Sequence, residues 1–205
     1  MLSNDSSYFL ELQTQTGWGR TLASFAEWCA PHPGWCTLDV GCGPGLLPAL
    51  FARSHCQSIG IDLDPKMLNP SSLHPLVAVA DVYSLPFSSQ SFDLVSASNL
   101  LFLLPEPLTA LREMKRLLRQ KGQVVLLNPS EYITIQAAKA FAEERGLQGL
   151  ARDTLLNWAA RAESNHRWTE AGLLELLASA GLKLVETELK VGPGFARFAR
   201  GIRLS

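Results

Sequence analysis

Five short apolar runs, at 37–40, 58–61, 76–80, 92–97 and 123–127, constrain this chain more than any other feature. Each is too continuous in apolar character for a half-exposed antiparallel sheet, where inward and outward residues alternate. Helical patterns separate them. Leu46, Leu47, Leu50 and Phe51 form one apolar face; Leu108, Leu111, Met114 and Leu118 form another, with Lys121-Gly122 as a helix-ending signal. A strand–helix–strand rhythm repeated about five times requires right-handed crossovers and a mainly parallel sheet covered on both sides. Two last runs, 182–189 and 195–204, are joined by Gly192-Pro193-Gly194, too short for a parallel crossover. They are predicted to pair as an antiparallel hairpin at the sheet edge. The expected fold is α/β: three layers, doubly wound, with a mostly parallel seven-stranded sheet ending in that hairpin.

The flanking segments read as helical. Residues 16–30 carry Leu22, Phe25, Ala26 and Cys29 on one face and stop at Pro31-His32-Pro33-Gly34. The stretch 130–168 is helical in composition and longer than one crossover needs. A further helix is predicted after Thr169 as N-cap, with Gly181 just past its end. At 205 residues the chain reads as one domain, 1–205, able to bury roughly 70% of its unfolded surface. Within it, 1–34 form a helical cap and about 130–168 a helical lid insert.

Composition excludes several function classes. The net charge of −1 argues against nucleic acid, which needs concentrated positive charge. Lys190, Arg197, Arg200 and Arg203 gather near the end, and their alternation reads as a solvated strand face. Cys29, Cys36, Cys42 and Cys56 form no C-x-x-C pair and have no histidine at ligand spacing, so neither a metal site nor a disulfide framework is expected. The first fifteen residues lack the basic-then-apolar order of a secretory signal, and the longest apolar run, 100–104, is far too short to span a bilayer. No transmembrane segment and a cytoplasmic location are the expectations.

The chemistry concentrates after the first run. Gly41, Gly43 and Gly45 stand at alternate positions there, although glycine loses more backbone freedom than any other residue and packs nothing. Three together predict that a ligand lies against the backbone, at the carboxyl end of a strand where open α/β sheets bind ligands. The following helix start adds free N–H groups. A dinucleotide G-x-G-x-x-G fits poorly: the sixth position from Gly41 is Leu46, and Pro44 removes an amide. What stands instead is D-x-G-x-G-x-G, from Asp39 to Gly45. Asp62, nineteen residues beyond Gly43, can accept from both hydroxyls of a ribose. Asp64, before Pro65, reads as an N-cap. Asp81 ends the third run.

The stretches LDVGCGPG, GIDLDPKML, ADVYSLPFSSQSFDLVSAS and REMKRLLRQKGQVVLLNP, followed by WTEAGLLELLASAGL, resemble the class I S-adenosylmethionine-dependent methyltransferases in order and spacing. The likeness is to their small-molecule branch, which includes ubiquinone/menaquinone- and biotin-pathway enzymes. It implies a Rossmann-like methyltransferase fold and S-adenosyl-L-methionine as cofactor, with S-adenosyl-L-homocysteine as product. By the same resemblance, Asp39 and the backbone of Gly41, Gly43 and Gly45 hold the methionine part, and Asp62 the ribose. Leu63 lies against adenine, Asp81 accepts from the adenine amino group, and the Val82 amide donates to a ring nitrogen. Ser98 and Asn99 lie near the sulfonium. Val82-Tyr83 departs from the family, where a small residue and an acid are usual.

A sulfonium is already an activated donor, so the protein has mainly to orient a nucleophile and exclude water, an effect worth about 7–11 kcal/mol. A base is needed only for a protonated nucleophile. Of His32, His55, His74 and His166, only His166, beside Arg167 and Trp168, is a candidate, together with Asn99. Tyr132, Phe141, Leu155 and Trp158 either line an apolar pocket or pack the insert onto the sheet. Tyr8, Phe9 and Trp18 either close over the cofactor or belong to a plain tail. The expected partner is a small, partly apolar methyl acceptor, with the protein a monomer or homodimer. The alternatives are a nicotinamide-dependent oxidoreductase and a non-catalytic interaction module of the same fold.

Overall fold

The computed structural model describes residues 6–67 and 76–204. Helices α1 (Ser6–Gln15) and α2 (Gly17–Cys29) lead into β1 (Cys36–Val40), α3 (Leu46–Arg53) and β2 (Gln57–Asp62). Next come β3 (Val77–Val79), β4 (Phe92–Ser98), α4 (Pro107–Leu117) and β5 (Leu118–Pro129). The last third holds α5 (Ile135–Glu144), α6 (Gly149–Ser164), α7 (Glu170–Ser179), β6 (Leu182–Lys190) and β7 (Ala196–Arg203). The seven strands form one sheet in the order β3-β2-β1-β4-β5-β7-β6. The pairs β1–β2, β1–β4, β2–β3 and β4–β5 are parallel; β7 runs antiparallel to both β5 and β6. The order reverses between β2-β1 and β4-β5, and that reversal opens a crevice at the carboxyl ends of β1 and β4.

Alternation along the strands builds two cores. Leu38, Val40, Val95, Val124 and Leu126 face α4 and α7 through Leu111, Met114, Leu173 and Leu177. Leu94, Val125, Leu127 and Phe198 face α2 and α3 through Leu22, Phe25, Leu47 and Phe51. Both faces are covered over β1, β4 and β5, which is why those strands read as unbroken apolar runs. The run at 76–80, read as a buried strand, is not one: β3 is the sheet's edge, and Leu76 and Val79 are 57% and 52% exposed. A third cluster, with Ile133, Ala138, Leu155, Ala159 and Phe195, packs α5 and α6 against the entry to β7.

Helix ends follow local chemistry. Thr16 caps α2 by accepting from the Trp18 amide, Thr169 caps α7 by accepting from Gly172, and Gly181 takes the left-handed conformation (φ +74°) just beyond α7. The Lys121-Gly122 signal, however, does not end α4. The helix stops at Leu117 and β5 starts at once. Leu118 pairs with Phe92 and Gln123 with Leu94, so the residues between bulge outward, with Lys121 at φ +62°. Gly122 is required for close approach: a Cβ there would lie 2.9 Å from the Arg119 carbonyl oxygen.

Of the basic residues near the end, the three arginines are not a solvated face, whereas Lys190 is partly exposed and pairs with Glu188. Arg197, 4% exposed, donates to both Glu131 carboxylate oxygens (2.9 and 3.0 Å), to the Trp168 carbonyl and to Thr187 Oγ1. Arg200 lies over the Trp28 ring and donates to the Trp28 and Cys29 carbonyls, and Arg203 donates to the Leu118 carbonyl. These arginines tie β7 to α2, α4 and the segment after β5. Among the described residues no helix is long and apolar enough to cross a membrane.

Removing Arg197 strands Glu131 and the Trp168 carbonyl, so Arg197→Ala is expected to cost about 3 kcal/mol. Urea unfolding of the variant against the parent measures it.

Candidate functional site

The site begins with a pinned loop. The amides of Gly41 and Cys42 both donate to the Ile61 carbonyl, at 2.8 and 2.9 Å, and the Gly43 amide donates to Asp62 Oδ2 at 2.9 Å. Three consecutive N–H groups of the β1 loop thus converge on the last two residues of β2. That curl requires φ of +73° at Gly41, +53° at Gly43 and +87° at Gly45. Each glycine is therefore accounted for by backbone conformation alone. Gly43 adds a second feature: a Cβ there would meet nothing within 4 Å, so its bare face borders open space.

Beneath the loop lies Asp39, 2% exposed, accepting from Ser96 Oγ at 2.6 Å. Burial pushes its carboxyl up to about 7; the Ser96 bond pulls the other way, and the nearby Asp62 charge adds to the rise. Asp62 Oδ1 also accepts from the Asp64 amide, Asp64 caps the turn Pro65–Met67 by accepting from Lys66, and Asp81 accepts from the Tyr83 amide. Each acid at a strand end thus folds the chain locally as well as offering charge.

These residues open onto a cavity of about 560 Å³. Asp39, Gly41, Cys42, Gly43 and Asp62 make its floor, and Ser98 and Asn99 enter from the end of β4. Its roof comes from α1 and α2 through Tyr8, Phe9, Leu12 and Trp18, and from α6 through Thr154, Asn157, Trp158 and Arg161. Asn99 is held in the left-handed region (φ +53°), with its amide on the Leu127 carbonyl at 2.7 Å. Its Oδ1 accepts from Trp158 Nε1 at 3.0 Å, while its Nδ2 is buried with no partner. Gln13 Oε1, also on the cavity, is likewise buried and unpaired. Unpaired buried groups facing a cavity are groups that a polar ligand can satisfy. Burial pushes the Cys42 thiol up, which suppresses the thiolate a nucleophile would need.

The structure brings Asp39, Gly41, Gly43, Asp62, Ser98 and Asn99 together on this one cavity. Gly45, Leu63, Asp81 and Val82 stand outside its described lining: Gly45 starts α3, Leu63 is 66% exposed, and Val82 is buried in the core beside β3. His166 is exposed, stacked on Trp168 with ring centroids 5.4 Å apart, and outside the cavity's described lining, although its amide donates to the carbonyl of Phe102, which does line it. His32 and His55 are exposed, and His74 lies outside the described residues. Of the insert's aromatic candidates, Trp158 faces the cavity; Phe141 packs on Phe195, and Tyr132 is half exposed. Tyr8, Phe9 and Trp18 do line the cavity.

Sequence reading missed Gln13, Thr154, Asn157, Arg161 and Gly60. A usable signal existed on α6: positions 154, 157, 158 and 161 share one face by helical spacing, next to the buried stripe of Leu155, Ala159 and Ala162. Gly60 in β2 gave no such signal. A Cβ there would lie 2.8 Å from Cys42 Sγ and 2.9 Å from Pro48 Cγ, so its bareness lets the loop and α3 settle onto β2.

A family model described as a methyltransferase domain matches residues 38–126. A provisionally named methyltransferase of Encephalitozoon cuniculi is 30% identical over 159 residues, covering 73% of this chain and 70% of that protein. A ubiquinone biosynthesis O-methyltransferase of Xanthomonas campestris is 36% identical over 102 residues, 46% of this chain and 43% of its own length. The chain thus spans less than half of that relative. Among solved structures, magnesium protoporphyrin IX methyltransferase of Synechocystis with bound S-adenosylhomocysteine superposes with a TM-score of 0.66 at 18% identity, covering 95% of this chain and 87% of that one.

Two outcomes are expected. Asp39 keeps its proton up to about pH 7 when folded, but loses it near 3.8 when unfolded. Its stabilising preference for the folded state is therefore complete below about pH 4 and is lost as pH rises through 7. Asp39→Asn, with no proton to lose, should gain stability over the parent most at pH 8 and least at pH 4, as read by urea unfolding. Gly60→Ala, by crowding Cys42 and Pro48, should cost about 1–3 kcal/mol in the same assay.

Proposed function

Because the chain belongs to the class I S-adenosylmethionine-dependent methyltransferase family, we propose that it methylates a small, partly apolar acceptor in the cavity between the β1 loop and α6. The observation carrying this reading is the cavity's two-sided chemistry. Its floor is acidic and glycine-backed; its roof is aromatic and apolar with a few polar groups. The floor suits a ligand with a cationic amino-acid end and a hydroxyl-bearing sugar, the roof a largely apolar acceptor. Similarity to a ubiquinone biosynthesis enzyme and a net charge of −1 both favour a small-molecule acceptor over nucleic acid.

S-adenosylmethionine, when bound, supplies a methyl group carried on a positively charged sulfur. Asp39 and the backbone of Gly41, Gly43 and Gly45 are assigned its methionine part, Asp39 offering charge to the ammonium group. Asp62 is assigned the ribose: a carboxylate has about four acceptor sites, and Gly43 and Asp64 occupy two. Leu63, Asp81 and Val82, on the β2–β3 side, are assigned the adenine. Ser98 and Asn99 border the transfer point, and Trp158 fixes the Asn99 amide by donating to its oxygen. Asn99 is a positioning residue in this reading, and its buried Nδ2 has no partner of its own in the protein. Tyr8, Phe9 and Trp18 exclude water from above.

Calorimetry with S-adenosylhomocysteine and, separately, NADH tests the assignment. The homocysteine derivative should bind and NADH should not; the reverse would make the protein a nicotinamide enzyme. Asp62→Ala should weaken binding by about 1.5–3 kcal/mol, and Gly43→Val should abolish it by filling the open space beside the loop. Affinity for this ammonium-bearing ligand should rise between pH 6 and 8 as Asp39, with its carboxyl near 7, becomes charged. A flat profile would remove Asp39 from the ammonium contact.

A further inference from the structure

A second cavity, of about 700 Å³, lies on the far side of the roof. Trp18, Thr154 and Trp158 line both cavities, and the two tryptophan rings stand 6.0 Å apart at 56°. These three residues are the wall that the two cavities share. On the outer side, Phe141, Leu147, Leu155 and Val191 supply an apolar wall. Arg20, Arg145 and Lys190 also line it, and among the described residues no acidic side chain does. Arg145 and Lys190 have acid neighbours, Glu144 and Glu188, outside the lining; Arg20 has no ion pair among the described residues.

We infer that this outer chamber holds the distal part of the methyl acceptor, an apolar segment ending in an anion. The inference rests on the methyl-transfer reading of the inner cavity and extends it to the acceptor's chemical class. Three observations support it. The chamber adjoins the inner cavity through shared walls. Its apolar wall beside Arg20, which has no ion pair among the described residues, complements a carboxylate-bearing or phosphate-bearing apolar chain, with Arg145 and Lys190 adding to the positive lining although each has an acid neighbour. The shared wall is also mechanically tied to the transfer point, since Trp158 donates to Asn99 Oδ1. An acceptor reaching past the tryptophans therefore touches the residue that holds the Asn99 amide. Its tail helps to set the geometry at its reacting end.

Dodecanoate, with dodecanol as the uncharged control, is the probe, titrated below micelle formation into protein with and without S-adenosylhomocysteine. Dodecanoate should bind, should exceed dodecanol, and should leave S-adenosylhomocysteine affinity unchanged. The triple variant R20Q/R145Q/K190Q should bind dodecanoate about tenfold more weakly, the summed effect of three partly exposed charges. Ala151→Trp, which places bulk in the outer chamber alone, should block dodecanoate and spare S-adenosylhomocysteine. Equal binding of dodecanol, unchanged binding by the triple variant, or displacement of S-adenosylhomocysteine by dodecanoate would each overturn the inference. If S-adenosylhomocysteine fails to bind the parent protein, the methyl-transfer reading falls. The dodecanoate titration of free protein still decides on the outer chamber by itself.

Discussion

The Ile61 carbonyl accepts two amides, from Gly41 and Cys42, and the next carboxylate, Asp62, accepts a third from Gly43. The rest of the site depends on that convergence. It bends the chain sharply off the end of β1, and the first and third of those residues stand at positive φ. It also leaves Asp39 covered by protein, so that its carboxyl resists ionisation. A substituted residue at 41 would be strained in φ and would press on Leu100, 3.2 Å from the added Cβ. A substituted residue at 43 would be strained and would enter the cavity. The same glycines therefore serve fold and site by separate mechanisms.

The acids show a similar division. Asp62, Asp64 and Asp81 each accept a backbone amide two residues on, which builds the turns leaving β2 and β3. Only Asp39 has no such local use: its recorded partner is the Ser96 hydroxyl on the neighbouring strand. Burial with one hydroxyl for company is tolerated because the carboxyl keeps its proton, and it costs stability once the pH rises through about 7. In the proposed function, a cation in the adjoining cavity would draw off its proton and pair with the resulting charge. Of the four acids, Asp39 is the one whose position a purely structural account does not explain.

Much of this was legible in the chain, for identifiable reasons. The central strands were readable because both their faces are covered, which turns them into unbroken apolar runs, whereas the apolar run of β3 misled as to burial because an edge strand can be as apolar as a central one; the hairpin was readable because three residues cannot carry a parallel crossover. Thr169 and Gly181 marked α7 because capping is local. Lys121-Gly122 misled because a left-handed lysine followed by glycine serves a β-bulge as readily as a helix end, and only the Phe92–Leu118 register decides between them. Arg197 and Arg200 misled because alternation gives a side chain's face, not what covers that face. The carbonyls and carboxylates that bind them come from positions 14 to 172 residues away. Gly60 was silent for the same reason: its constraint is the approach of Cys42 and Pro48 from another segment.

Helix α6 brings these strands together. Its inner residues, Leu155, Ala159 and Ala162, fasten it to α5 and to Phe195 at the entry of β7. Its neighbouring stripe, Thr154, Asn157, Trp158 and Arg161, lines the cavity over the glycine loop. Because Trp158 bonds to Asn99, which in turn hangs from the Leu127 carbonyl, the roof is coupled to β5 through a single hydrogen-bonded chain. Nothing comparable binds α6 to the glycine loop itself among the described residues. The floor is rigid because the backbone pins it, and the roof is registered to β4 and β5 through one amide. Floor and roof thus differ in how they are held, which permits one of them to diverge in sequence to suit an acceptor while the other keeps its geometry.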